Sequence, residues 1–261
     1  MIDYIETTKN DLPDAENLQS AINKAVSEGL YTLIVKGGEW SVDKTLLLPE
    51  YLQLILDGAK INYVGEGVAF TNSHSVTTYK NVIAAQQKGI TITGENGAEI
   101  KGTIFFNNVT NCTVNGLCFA DVENGVVLTS TVGVKLKDLT FINCVNGILL
   151  GVGASDIMAH GLDGQAVKNV IKIDDSAFNA YYRLYHPHEV RNLIVRGVSG
   201  NVETFVDCVG KAEKLIFTDF TGKAENLAFS IKNAKHVTIN DVKVKGKLIN
   251  ADHPENQVFI K

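Results

Sequence analysis

Ile90-Thr91-Ile92-Thr93-Gly94, Cys112-Thr113-Val114-Asn115-Gly116 and Val134-Lys135-Leu136-Lys137-Asp138 are one phrase written three times. It returns as Ile157-Met158-Ala159-His160-Gly161, Leu193-Ile194-Val195-Arg196-Gly197, Leu215-Ile216-Phe217-Thr218-Asp219 and Val237-Thr238-Ile239-Asn240-Asp241. Each is a short run with apolar residues at alternate positions, closed by Gly or Asp. The closing positions 94, 116, 138, 161, 197, 219 and 241 are separated by 22, 22, 23, 36, 22 and 22 residues. A fixed period of this size marks a solenoid.

A coil of about 22 residues accommodates three short strands and three corners, and is too thin to bury its own apolar face. It must stack on its neighbours, so that equivalent strands pair one coil apart, at about 4.8 Å, into parallel sheets. Alternation such as Val134-Lys135-Leu136-Lys137 turns one face to the core and the other to water. A leucine-rich horseshoe, the competing solenoid at this period, requires a recurring leucine-and-asparagine signature that the chain lacks. The expected fold is therefore all-β: a right-handed parallel β-helix forming one domain over residues 1–261.

Extending the period backward reaches Gly58, 36 residues before Gly94, and Gly37, 21 before Gly58. Both long coils equal an ordinary coil plus about 14 residues. These insertions are expected at about 73–86 and 176–189, each after the same strand of its coil. Insertions at one corner fall on one face of a solenoid, often the binding face. With three ordinary corners between them they would frame a groove roughly 15–20 Å long.

The first coil's apolar cross-section needs a cover. Leu18, Ala21, Ile22, Ala25 and Val26 form an apolar stripe at helical spacing, and residues 14–28 are expected to form a capping helix with Asp14 as N-cap and Gly29 as its stop. At the other end Gln257-Val258-Phe259-Ile260 reads as a last strand. The 252–256 loop and a second subunit are both candidate covers for that end, so a homo-oligomer stays open.

A formal charge of −5 argues against a nucleic-acid-coating surface, which draws on clustered Lys and Arg. No run approaches the roughly 18 apolar residues of a membrane span. The opening Met1-Ile2-Asp3-Tyr4-Ile5-Glu6 lacks the basic and apolar regions of a secretory leader; a cytoplasmic protein is expected, or a secreted one whose leader has been removed. The four cysteines show neither CxxC spacing nor histidines at ligand spacing. Neither metal nor cofactor is expected.

The stretch from Asp14-Ala15-Glu16-Asn17-Leu18-Gln19-Ser20-Ala21-Ile22 through Tyr31-Thr32-Leu33-Ile34-Val35-Lys36-Gly37-Gly38-Glu39-Trp40, Leu46-Leu47-Leu48-Pro49 and Leu54-Ile55-Leu56-Asp57-Gly58-Ala59-Lys60-Ile61 resembles the opening of pectate-lyase-like β-helices. These include the family 28 glycoside hydrolases and many phage tail-spike depolymerases. The resemblance covers about a fifth of the chain and implies a polysaccharide or oligosaccharide, acidic and pectin-like in the family 28 case, as ligand. It does not extend to the family's catalytic set. That family carries Asn-Thr-Asp before one strand and Asp-Asp one coil later, followed by His-Gly. Here the matching positions read Glu123-Asn124-Gly125 and Val145-Asn146-Gly147, and His160-Gly161 precedes the only Asp-Asp, Asp174-Asp175. Asn124 and Asn146 suit hydrogen bonds to a sugar but not proton exchange.

The densest functional vocabulary lies in the second insertion and its base. Asp174 and Asp175 are the candidate acid–base pair, because neighbouring carboxylates split their pKa values, provided a corner lets both face outward; the competing reading is a chain turn. Lys172, Arg183 and Arg191 are candidate clamps for a uronate carboxylate, or partners of nearby acids. Tyr181, Tyr182 and Tyr185 are candidate stacking faces, with His186 and His188 beside them. Two functions follow: a glycoside hydrolase-like enzyme (less readily a lyase, since no calcium-binding carboxylate cluster is evident) acting on an acidic polysaccharide or oligosaccharide, or a non-catalytic glycan-binding or structural β-helix, either a degenerate relative of such enzymes or a module of the phage-tail or adhesin type.

Overall fold

The computed structural model describes residues 3–73, 86–176, 189–250 and, as backbone, 251 and 258–260. The chain winds into a right-handed parallel β-solenoid of about nine turns. Every strand pairs in parallel with its counterpart in the next coil: Gln53-Leu54-Ile55 lies against Thr91-Ile92-Thr93, which lies against Thr113-Val114-Asn115 and then Lys135-Leu136-Lys137. The same column continues through Met158-Ala159-His160, Ile194-Val195-Arg196, Ile216-Phe217-Thr218 and Thr238-Ile239-Asn240. The repeated phrase is thus one strand position seen in successive coils, with its alternate residues Ile92, Val114, Leu136, Ala159, Val195, Phe217 and Ile239 buried inside.

The closing residues are corners because they take the left-handed conformation. Gly116, Asp138, Gly161, Gly197, Asp219 and Asp241 have φ between 50° and 67°, a region that glycine enters freely and Asp tolerates. Position 94 departs from this expectation: its coil turns two residues later, at Asn96 (φ 51°) and Gly97 (φ 77°). In the central coil of strands Thr113–Asn115, Cys118–Ala120 and Asn124–Thr129, the second corner is Asp121 (φ 56°). The third is wider, with left-handed residues at Ser130 (φ 50°) and Gly133 (φ 71°).

Volume is exchanged between facing sides of the core. One inward row runs Trp40, Ile61, Ile100, Phe119, Phe141, Gly164, Gly200 and Gly222. Phe119 and Phe141 stack at 5.6 Å, and Phe141 reaches across to Gly147, where an added Cβ would lie 2.8 Å from its ring. One coil on, the sizes reverse: Gly164 faces the side chains of Val170 and Val202.

A helix, α1 (Asp14–Ser27), covers the first coil with Leu18, Ile22 and Ala25, which are all buried. Its boundary differs from expectation. Pro13 occupies the N-cap position without a side-chain cap, and Asp14, already helical, accepts a hydrogen bond from the Ser41 backbone N–H at 2.6 Å. That carboxylate anchors the helix to the solenoid instead of capping it. Gly29 (φ 70°) ends the helix as expected, and Val258–Ile260 forms a last strand beside Val237–Ile239. Among the described residues no helix is long and apolar enough to cross a membrane.

Candidate functional site

The insertion segments 74–85 and 177–188 lie outside the described residues, and with them Tyr181, Tyr182, Arg183, Tyr185, His186 and His188. Their attachment points are described, and they share one corner. Phe70-Thr71 aligns with Ile104-Phe105, then Val126-Val127, Ile148-Leu149, Ile171-Lys172 and Val206-Asp207. The first insertion follows the Phe70 strand of this column and the second follows the Ile171 strand, four coils and about 19 Å away.

The outward residues of that column form a floor along the axis: Thr71, Phe105, Val127, Leu149, Lys172 and Asp207. Strand alternation assigns this side to solvent, yet Val127 and Leu149 are only 2% and 8% exposed. Beyond Leu149 the floor turns charged, with Lys172 Nζ 2.5 Å from Asp207 Oδ2. Asn124, Asn146 and Asn169 run beside it as an amide ladder, Asn146 donating to Asn124 Oδ1 and Asn169 to Asn146 Oδ1, both at 2.9 Å. Thr71 in the floor, and Ser130 and Thr131 at the third corner, are buried, and their hydroxyls have no hydrogen-bond partner among the described residues.

At the second corner, beside the start of this strand column, the floor opens into a cleft of about 410 Å³ bounded by Tyr63, Lys101, Phe105, Asp121, Glu123 and Asn124. Lys101 pairs with Asp121 at 3.1 Å, and Asn143 donates to Asp121 Oδ1 at 2.9 Å. These contacts, the Asn143 amide first, hold the Asp121 carboxyl below its ordinary value. Tyr63 is steadied by its hydroxyl, which donates to the Glu66 carbonyl at 2.7 Å. A residue at 102 must be glycine here, because a Cβ would lie 2.8 Å from both Ala69 Cβ and Tyr63 Cβ.

The described members of the expected site at the second insertion are engaged with neighbours. Asp174 and Asp175 do stand at a corner. Asp174 Oδ1 accepts from the Ser176 N–H at 3.0 Å and the Ser176 hydroxyl at 2.6 Å, an Asx turn of the kind that closes a chain reversal. Asp175 Oδ1 faces Gly210 in the next coil. Arg191 donates to Glu189 from Nη2 at 2.8 Å and Nε at 3.1 Å, and lies 3.7 Å from Glu213. Glu189 is the main reason its guanidinium holds its proton beyond the ordinary range.

Tyr63, Lys101, Phe105, Asp121 and Glu123 did not emerge from motif reading. One signal was present: in Ile104-Phe105-Phe106 an aromatic occupies the position that alternation turns to solvent.

A right-handed parallel β-helix with two insertions at one corner is the class of protein these observations define. No family model matches the chain, and no curated protein matches it in sequence. Solved structures match it in fold. A tailspike mutant of E. coli bacteriophage HK620 in complex with a pentasaccharide aligns with TM-score 0.59 at 11% identity, over 98% of this chain and 57% of that one. A second mutant of that tailspike, also with pentasaccharide, gives 0.53 at 11% identity over 96% and 61%. PfbA, a surface adhesin of Streptococcus pneumoniae, gives 0.48 at 10% identity over 99% and 93%. The chain spans less than two thirds of either tailspike, and at these identities the likeness is one of fold.

Proposed function

We propose that the chain is a glycan-binding β-helix whose ligand lies along the floor of this strand column, seated first in the Tyr63–Phe105 cleft. The observation that carries this reading is the cleft itself. Aromatic carbons at its wall, with a cation, two carboxylates and an amide around them, are the surface that a sugar ring and its hydroxyls require. The bound pentasaccharides of the tailspikes support the ligand class by analogy of fold alone.

Cleavage of a glycosidic bond needs one protonated carboxyl beside an ionised one; in the cleft Asp121 is held down by Asn143 and Lys101 and fits the ionised role alone, and the cleft is read as a binding surface. Hydrolysis of an acidic, pectin-like polysaccharide by Asp174 and Asp175, in the manner of family 28, is the second reading, supported by the corner on which the two residues stand. Lys172 and Arg191 would then face a uronate only by exchanging their present partners.

Isothermal calorimetry against a panel of acidic and neutral oligosaccharides is the test, with Phe105→Ala beside the parent. We expect binding of at least one oligosaccharide, weakened about tenfold by the variant. Release of reducing ends by the parent, lost in an Asp174→Asn/Asp175→Asn double variant, would replace the binding reading with the enzymatic one.

A further inference from the structure

Two tyrosines stand where the backbone suits smaller residues. Tyr31 (φ 55°), between α1 and the first coil, and Tyr51 (φ 63°), at the third corner of that coil, are both left-handed. At the next five corners of this column the place of Tyr51, two residues ahead of the paired strand, is held by Gly89, Asn111, Gly133, Asp156 and Asn192. These are the types that enter this conformation at least cost. No other Tyr, Phe or Trp among the described residues is left-handed. A bulky side chain there is held against its own backbone preference, and such outliers cluster at ligand-binding positions.

Strain alone names no ligand; the side chains do. Both tyrosines face solvent, Tyr31 at 37% and Tyr51 at 45% exposure. Their ring centres are 6.5 Å apart and their planes at 89°, so one ring offers its face where the other offers its edge. Lys88 reaches over Tyr51 from the next corner, its Nζ 5.5 Å from the ring centre. An added Cβ at Gly89 would lie 2.9 Å from Tyr51 Cδ1. Glycine at 89 thus leaves the space in which that ring is seated.

We propose that Tyr31, Tyr51 and Lys88 form a second saccharide site. A pyranose ring lays its C–H face on an aromatic ring there, and its hydroxyls bond the phenols and the ammonium. Tyrosine supplies rigid, amphipathic contact of this kind at small entropic cost. A cationic ligand is opposed, because Lys88 already holds the cation position over Tyr51. A wholly apolar ligand would cover the ammonium and the phenol hydroxyls without bonding them. The site shares the ligand class proposed for the Tyr63–Phe105 cleft and none of its residues. The cleft lies at the second corner and the tyrosines at the third, with strands Leu46–Leu48 and Phe70–Asn72 between them.

The test uses the whole chain labelled with meta-fluorotyrosine, and cellotetraose, maltotetraose and tetragalacturonate as probes. The two fluorine resonances lost in Tyr31→Asn/Tyr51→Asn should shift in the parent on addition of at least one probe. They should shift equally in Phe105→Ala, where the cleft is weakened. By calorimetry in that background, adding the asparagine pair should weaken the remaining binding about tenfold. Asparagine enters the left-handed region more readily than tyrosine, so the pair should leave the urea midpoint equal to or above the parent's. Resonances unmoved by all three probes would overturn the proposal, as would shifts that vanish in Phe105→Ala. A lowered midpoint would overturn it too, because the rings would then serve the fold. Binding lost in Phe105→Ala with the tyrosines unmoved leaves the cleft alone standing, and the reverse pattern leaves this site alone.

Discussion

Asn146 has a neighbour on each side, and that makes it the most informative single residue in the trough. It donates to Asn124 and accepts from Asn169, so Asn146→Ala leaves both partners without their bonds. A loss of about 1–3 kcal/mol is expected, measured as a lower urea midpoint. The same substitution at Asn233, an exposed residue bonded once to a backbone carbonyl, should cost less than about 1 kcal/mol. An Asn146 variant as stable as its parent would mean that the ladder contributes nothing. This residue also shows a limit of reading from sequence. Asn124-Gly125 and Asn146-Gly147 stand out as a repeat, but the repeat is equally compatible with sugar contact and with stacking of the amides on each other. Only the coil-to-coil register reveals the stacking.

Acid should weaken the fold in a direction set by two other carboxylates. Asp57 is held below its ordinary 3.8 first by the Lys36 hydrogen bond and then by Asn96, and Asp121 first by Asn143 and then by Lys101. The unfolded chain therefore takes up these protons before the folded one does. Their stabilisation is present above 3.8 and disappears as pH falls through the lower folded values. The urea midpoint should fall below about pH 4, and fall less steeply in Asp57→Asn/Asp121→Asn. An equal slope in the double variant would remove these residues from the acid response.

At the scale of elements, the strand phrase and the capping helix were legible because both rest on periodicity, one of two residues and one of 3.6. The wide corner was not. Left-handed Gly116 and Asp138 announce themselves by residue type, whereas left-handed Ser130 does not. The Phe105 cleft was hidden for a related reason: which strands lie side by side depends on where each coil turns. The buried face of α1 gives a test of the cap. Ile22→Ala should destabilise by about 2–5 kcal/mol, while Asn23→Ala on the exposed side should stay within about 0.5 kcal/mol. Equal effects would mean that the helix does not cover the core.

Across the whole molecule, interior position also governs thiol chemistry. Burial pushes the Cys112 thiol up to about 11 and the Cys208 thiol up to about 12, and Cys144 is buried as well. Only Cys118, on an outer face, is half-exposed. Iodoacetamide at about pH 8 should therefore modify at most Cys118 in the native protein and all four cysteines in urea, as read by intact mass. Early modification of Cys208 would show that the later coils open on their own.

The placement of α1 ahead of the coils has a consequence in time. During synthesis the lid leaves the ribosome before the core it covers, and each later coil emerges onto a surface already built. A chain interrupted after Ile231 would thus lack only the final layers, and should still give the circular dichroism of a folded β protein. A chain deprived of 1–29 would begin with nothing to build upon.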